Sequence, residues 1–168
     1  MTAVFGITGW SGGGKTTLIT RLIPILTARG FVVGVLKHAH HGFAIDREGK
    51  DSRRFRDAGC REVAVSSARR WAFMHEHEPG AAETGVAALL DKFTPECNLI
   101  LVEGYKNAPL PKVEVWRREL ARPPLAVDFP KVEAVAADFP PPGLPSRCAV
   151  LPLNDAAAVA DFVVRRAR

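Results

Sequence analysis

The chain has 168 residues, of which 47% are hydrophobic and 24% charged. That length suits one domain with a substantial core, and that composition excludes a mostly disordered or collagen-like chain. A formal net charge of +5 favours anionic partners without separating nucleic acid from a nucleotide or a phosphorylated metabolite.

In chain order, the short apolar run Ala3 to Ile7 stops at glycines and predicts a buried strand. From Lys15 onward, Leu18, Ile19, Leu22, Ile23 and Leu26 recur at spacings of three and four, the mark of one helix face ending near Gly30. Pro24 falls inside that pattern and is expected to bend or shorten the helix, since it lacks a backbone donor. The valine-rich run Phe31 to Leu36 predicts a second buried strand, ending at Lys37 and His38. Strand, helix, strand implies a right-handed crossover in a parallel sheet. Further strands are expected at Glu62 to Ser66, Asn98 to Val102, Val113 to Trp116, Val132 to Ala136 and Cys148 to Leu151, and helices at Lys50 to Ala58, Ala81 to Phe93 and Asp155 to Arg166. The alternating pair His75 and His77 reads as a strand face. Ten of the 13 prolines lie beyond residue 108, so that half should be strands and loops.

The most informative segment is Gly9-Trp10-Ser11-Gly12-Gly13-Gly14-Lys15-Thr16, a full match to G-x-x-x-x-G-K-[ST] between a predicted strand and a predicted helix. Phosphate needs several backbone N–H groups pointing inward together, and glycines let the chain curl closely around the anion. Lys15 is expected to bridge the β- and γ-phosphate oxygens, Thr16 to ligate magnesium, and Thr17 to lie near the α-phosphate. An incidental glycine-rich turn would not require the lysine, the threonine and both flanking elements to agree. The fold class is therefore α/β and P-loop NTPase-like: a mostly parallel central sheet flanked by helices with a Pro-rich strand-and-loop C-terminal half, in a single domain over 1–168.

Two acidic segments compete for the metal. Glu103 ends the run Leu99-Ile100-Leu101-Val102, where the carboxyl end of a parallel strand reaches such a site, with a salt bridge as its alternative. Asp46, with Asp51, follows the second strand and is a metal-side or a solvated loop carboxylate. The cluster His38, His40 and His41 lacks a further ligand at zinc spacing and reads as a polar lip near the phosphates or at a partner surface. Cys60, Cys97 and Cys148 form no C-x-x-C pair and are expected to be packing residues. No run of 18 apolar residues and no secretory start are present, so a cytoplasmic protein without membrane contact is expected.

Three segments in order, GWSGGGKTTL, KHAHHGFAIDREGKDSRRFRDAG and NLILVEGYKNAPLPKVEVWR, resemble the molybdopterin-guanine dinucleotide biosynthesis protein B family. The resemblance implies a P-loop fold related to dimeric nucleotide-dependent switch proteins, binding GTP with Mg2+ and hydrolysing it slowly. It also implies an accessory role toward the molybdopterin guanylyltransferase that attaches GMP to molybdopterin, with molybdopterin itself a further candidate ligand, and a homodimer. Carried over by position, Gly12 to Thr17 hold phosphate, Asp46 sits in the loop after the histidines near the metal, and Glu103 is the acid of the V-E-G motif. Lys15, Asp46 and Glu103 are thus the expected catalytic set. Gly42 and Asn98 depart from acidic residues common in the family, Gly42 bearing on hydrolysis and Asn98 expected at a strand start away from phosphate. No N-K-x-D guanine motif occurs, so guanine preference rests on the resemblance; Asp138 is either the acceptor for the guanine edge or a turn former. Arg53 or Arg54 could supply a catalytic cation across a dimer. The competing function is an ATP-dependent small-molecule phosphotransferase or ligase on the same fold. Nucleic-acid binding has only the charge behind it and is not expected.

Overall fold

The computed structural model describes residues 2–39 and 51–167. They form two compact units, Met1–His38 with Val86–Arg168, and Ala39–Gly85. In chain order the elements are β1 (Ala3–Thr8), α1 (Lys15–Ala28), β2 (Val33–Lys37), α2 (Asp51–Asp57), β3 (Glu62–Ser66), β4 (Trp71–His75) and α3 (Val86–Leu90). There follow β5 (Leu99–Glu103), β6 (Lys112–Trp116), β7 (Val132–Ala137), β8 (Ala149–Pro152) and α4 (Ala156–Arg166).

The larger unit is built on a six-stranded sheet in the order β2-β5-β1-β6-β7-β8, with every neighbouring pair parallel. From β1 the chain runs outward to β2, returns beside β1 as β5, and then extends on the other side through β6, β7 and β8. The carboxyl ends of β1 and β5 therefore lie together where the strand order reverses, the position at which open α/β sheets bind ligands. All five residues of β5 and of β6 are buried, as expected of strands covered on both faces.

Alternation along the strands divides the core. Phe5, Ile7, Leu99, Leu101, Val113 and Val115 face α1 and α4, packing on Leu18, Leu22 and Leu26 of α1 and Val159, Phe162 and Val163 of α4. Ile100 and Val102 point the other way, into a cluster with Cys97, Phe93 and Leu90; Trp116, Val132 and Val135 do the same against Ala126 and Phe129. That second face is covered by short α3 and by loops. Truncating a leucine as enclosed as Leu22 costs about 2–5 kcal/mol.

The expected strands and helices appear, but β2, expected to be a buried strand, is an edge strand without a fully buried residue, and there are three further differences. Pro24 lies inside α1 without ending it, on the exposed side, where the carbonyl it leaves unpaired can meet water. The helix expected over 81–93 contracts to Val86–Leu90, because Pro79, Gly80 and Gly85 delay nucleation and i-to-i−3 bonds from Lys92 and Phe93 tighten its end. In the smaller unit β3 and β4 form an antiparallel hairpin, joined by a turn in which Ser67 N donates to Arg70 O at 2.9 Å. His75 ends β4 as expected, whereas His77, expected on the same strand face, lies beyond the strand. Beyond residue 108 the chain is strands, loops and two 3-10 turns, Arg118–Leu120 and Leu125–Val127, until α4. Of the cysteines, Cys97 is buried and Cys148 half-buried, but Cys60 is exposed, so packing does not account for it.

Candidate nucleotide site

β1 delivers the chain to the glycine turn at buried Thr8. At Gly9, φ is +142° and a Cβ would come within 2.4 Å of the Val115 carbonyl oxygen, so the turn can run against the β6 backbone only because no side chain is there. Gly14 has φ +93° and leads into α1 with no side-chain cap and no acidic residue in the first turn. The first amides of α1 therefore keep their donors and their dipolar attraction for an anion.

Lys15 bends back over the turn, its Nζ donating to Gly9 O at 3.0 Å and Trp10 O at 2.9 Å. Burial holds its pKa below the ordinary lysine value; the charge of Glu103 opposes that shift and the charge of Lys37 adds to it. Thr16 donates its hydroxyl to the Glu103 carboxylate, 2.9 and 3.0 Å from the two oxygens. Glu103 is buried at the end of β5, in register with Ile7 of β1 and Lys37 of β2. Lys37 Nζ lies 3.3 Å from Glu103 Oε1 and 3.2 Å from Thr16 Oγ1. The salt bridge held as the alternative for Glu103 is thus present, and the same carboxylate accepts from the Thr16 hydroxyl. Directly after it, Gly104 and Tyr105 take φ of +88° and +44°, turning the chain away, and the Tyr105 ring lies against that of His38, centres 4.6 Å apart and planes tilted by 41°.

The connection from β6 to β7 braces the turn. Arg117 Nε donates to Gly13 O at 3.2 Å, Leu120 packs beneath Gly13, and Pro123 O accepts from Trp10 Nε1 at 2.8 Å. The Arg122 guanidinium lies 5.4 Å and Lys106 Nζ 5.9 Å from the centre of the Trp10 ring. The connection is itself held by Glu114, a fully buried carboxylate accepting from Leu125 N at 2.8 Å and Ala126 N at 3.0 Å; burial raises its pKa against the pull of those amides.

Of the residues expected at the site, Gly9 to Thr16 and Glu103 stand together. Ser11 and Thr17 are exposed at the turn and the first helical turn. Asp138, just past β7, is paired with Arg117 at 3.7 Å. Asp46, His40, His41 and Gly42 lie outside the described residues. Asn98 precedes β5 and accepts from Val32 N at 2.9 Å, at the opposite end of the strand from Glu103. Arg53 and Arg54 pair with Asp57 and Asp51 on α2, in the smaller unit. Among the described residues no three His, Cys, Asp or Glu side chains converge to hold a metal. Sequence reasoning missed Lys37 and Arg117. The signal for Lys37 was its place at the end of β2, level with the end of β5; Arg117 gave none until the connection was seen against the turn.

Proteins that set this lysine and threonine turn between the first parallel strand and the first helix, with an acid facing the threonine, are P-loop α/β proteins, and fold and site put this chain in that class. A family model described as "MobB: Molybdopterin guanine dinucleotide synthesis protein B" matches residues 4–138, and the chain belongs to that family. It is 40% identical over 160 residues to the molybdopterin-guanine dinucleotide biosynthesis adapter protein of Haemophilus influenzae, covering 95% of this chain and 86% of the relative. With the Escherichia coli protein of the same name it shares 41% over 167 residues, covering 98% and 93%. The crystal structure of a MobB protein homolog from Bacillus stearothermophilus superposes with a TM-score of 0.70 at 24% identity, covering 98% of this chain and 97% of that one. The last likeness bears on the fold alone. No helix among the described residues is long and apolar enough to cross a membrane.

Proposed function

We propose that this protein is an adapter that binds GTP with magnesium and hydrolyses it slowly, in the service of the enzyme that attaches GMP to molybdopterin. Its accessory place in making molybdopterin guanine dinucleotide comes with family membership. The observation that carries the nucleotide part is the uncapped amides of α1 opening onto Lys15, beside a Thr16 hydroxyl held within 3.0 Å of the Glu103 carboxylate.

Those two hard oxygen donors suit magnesium, which binds proteins through few side chains and keeps waters and phosphate oxygens for its remaining positions. Thr16 and Glu103 would hold the ion, with Asp46 as a third oxygen by family likeness, and the ion would neutralise charge on the phosphates. The amides from Gly12 to Thr17 would cradle the phosphate chain, and Lys15 would exchange its contacts with Gly9 O and Trp10 O for phosphate oxygens. Arg117 faces Gly13 O and Asp138, so slow turnover is expected, since an arginine on the transferred phosphoryl group contributes a thousandfold or more. Asp138 would read the guanine edge while remaining paired to Arg117. Arg53 or Arg54 of a second copy would supply a cation in a homodimer. We take the protein to be cytoplasmic and residues 1–168 to act as a single nucleotide-binding domain.

A thermal-shift panel of GTP, GDP and ATP, with and without magnesium, tests this. Ligand at about 100 times its Kd adds about 2.7 kcal/mol, a rise of roughly 5–10 °C for a chain of this size. GTP with magnesium should give the largest shift. A larger shift with ATP, together with ADP and a phosphorylated small molecule formed in equal amounts, would replace the adapter by a phosphotransferase.

A further inference from the structure

We infer that Lys37 is the specificity-determining group that distinguishes a nucleoside triphosphate from a diphosphate, and that its ammonium holds the cation's place between Thr16 and Glu103 before metal and nucleotide enter. The inference rests on the proposed nucleotide function and deepens it. Lys37 ends β2 in register with Glu103, so the parallel ladder fixes where its side chain starts. Its Nζ touches the two oxygens assigned above to the metal, at 3.2 Å from Thr16 Oγ1 and 3.3 Å from Glu103 Oε1. A cation therefore already sits between these donors, supplied by the protein.

Two properties separate it from Lys15. Lys15 is half-buried and tied to two carbonyl oxygens of the turn, whereas the Lys37 side chain is 54% exposed on a flexible four-carbon stem and can move without opening the core. Its charge also reaches Lys15, where it works against protonation, so the two ammonium groups share the mouth of the turn around a single buried carboxylate. Once Glu103 turns to the metal, Lys37 loses its carboxylate partner, and the terminal oxygens of a triphosphate are the anions that replace it. A diphosphate lacks those oxygens and leaves Lys37 competing with the metal for Glu103. Lys37 thus strengthens triphosphate binding and weakens diphosphate binding.

The test is calorimetric titration of the full chain and of its Lys37→Met and Lys37→Arg variants with magnesium GDP and a magnesium complex of a non-hydrolysable GTP analogue. Melting curves check that each variant is folded, as expected for an exposed side chain. A charge-assisted contact to a half-exposed group should make the diphosphate-to-triphosphate Kd ratio about tenfold smaller in Lys37→Met, with diphosphate affinity unchanged or improved. Lys37→Arg should retain most of the wild-type ratio. An unchanged ratio in folded Lys37→Met, or a wild-type ratio near one, overturns the inference while leaving nucleotide binding in place. Failure of the wild-type chain to bind either nucleotide overturns both.

Discussion

Replacing Arg117 by alanine tests whether the β6 to β7 connection sets the shape of the phosphate turn. In a trans peptide the carbonyl of Gly13 and the N–H of Gly14 point in opposite directions. By holding Gly13 O outward at 3.2 Å, Arg117 therefore turns the Gly14 amide inward, where phosphate would sit. The bond is long and the Arg117 side chain is 32% exposed, which places it below the usual range for a charged donor, at about 1 kcal/mol. The 3.7 Å pairing with Asp138, screened by solvent, adds a few tenths of a kcal/mol. Losing both should weaken nucleotide binding by roughly five- to tenfold, since about 1.4 kcal/mol is a factor of ten. The loss should be equal for GTP and GDP, because the affected amide precedes the discriminating phosphate contacts. Titration of a fluorescent guanine nucleotide into Arg117→Ala and Arg117→Lys measures it, and lysine should restore little because it lacks the planar Nε donor. Wild-type affinity in a folded Arg117→Ala would refute the bracing role, and a loss confined to GTP would place Arg117 on the terminal phosphate instead.

Two more predictions follow from the same packing. Gly9→Ala puts a Cβ 2.4 Å from a backbone oxygen of β6 at φ +142°, so it should destabilise the fold by at least 2–3 kcal/mol; a denaturation midpoint equal to wild type would contradict the close approach. Lys112 is fully buried on β6, its Nζ donating to Ala108 O and Leu110 O, and burial pulls its pKa down to about 8 from 10.5. Between those values the unfolded chain binds the proton and the folded chain does not. Stability should therefore rise with pH over that window by up to about 3 kcal/mol, with the whole penalty present below pH 8. Urea unfolding from pH 8 to 10.5 should show the rise in wild type and lose it in Lys112→Met, and identical pH profiles for the two would contradict it.

What the sequence revealed and concealed follows from range. The glycine turn was legible because its signal is local: consecutive glycines, a lysine and a threonine between a strand and a helix specify its conformation. Glu103 was legible because a strand of five buried residues announces its own carboxyl end. Lys37 and Arg117 were not singled out, because their roles depend on which strands become neighbours. β2 lies beside β5 across 66 residues of sequence, and the carbonyl that Arg117 holds is 104 residues away. The hairpin strand Trp71–His75 showed only through its histidines, since its alternation of large and small residues is interrupted at Met74. Helix α3 was overextended because alanines suggest helix wherever they occur, while Gly85 sets where one can begin.

Calorimetric titration of magnesium GTP into the wild-type chain and into Lys15→Ala bears most directly on whether the turn from Gly9 to Thr16 is a phosphate cradle. Saturable binding in wild type that requires magnesium and weakens by about tenfold or more without the Lys15 ammonium is the expected result. Equal affinity in the two proteins, or no binding in wild type, would contradict it.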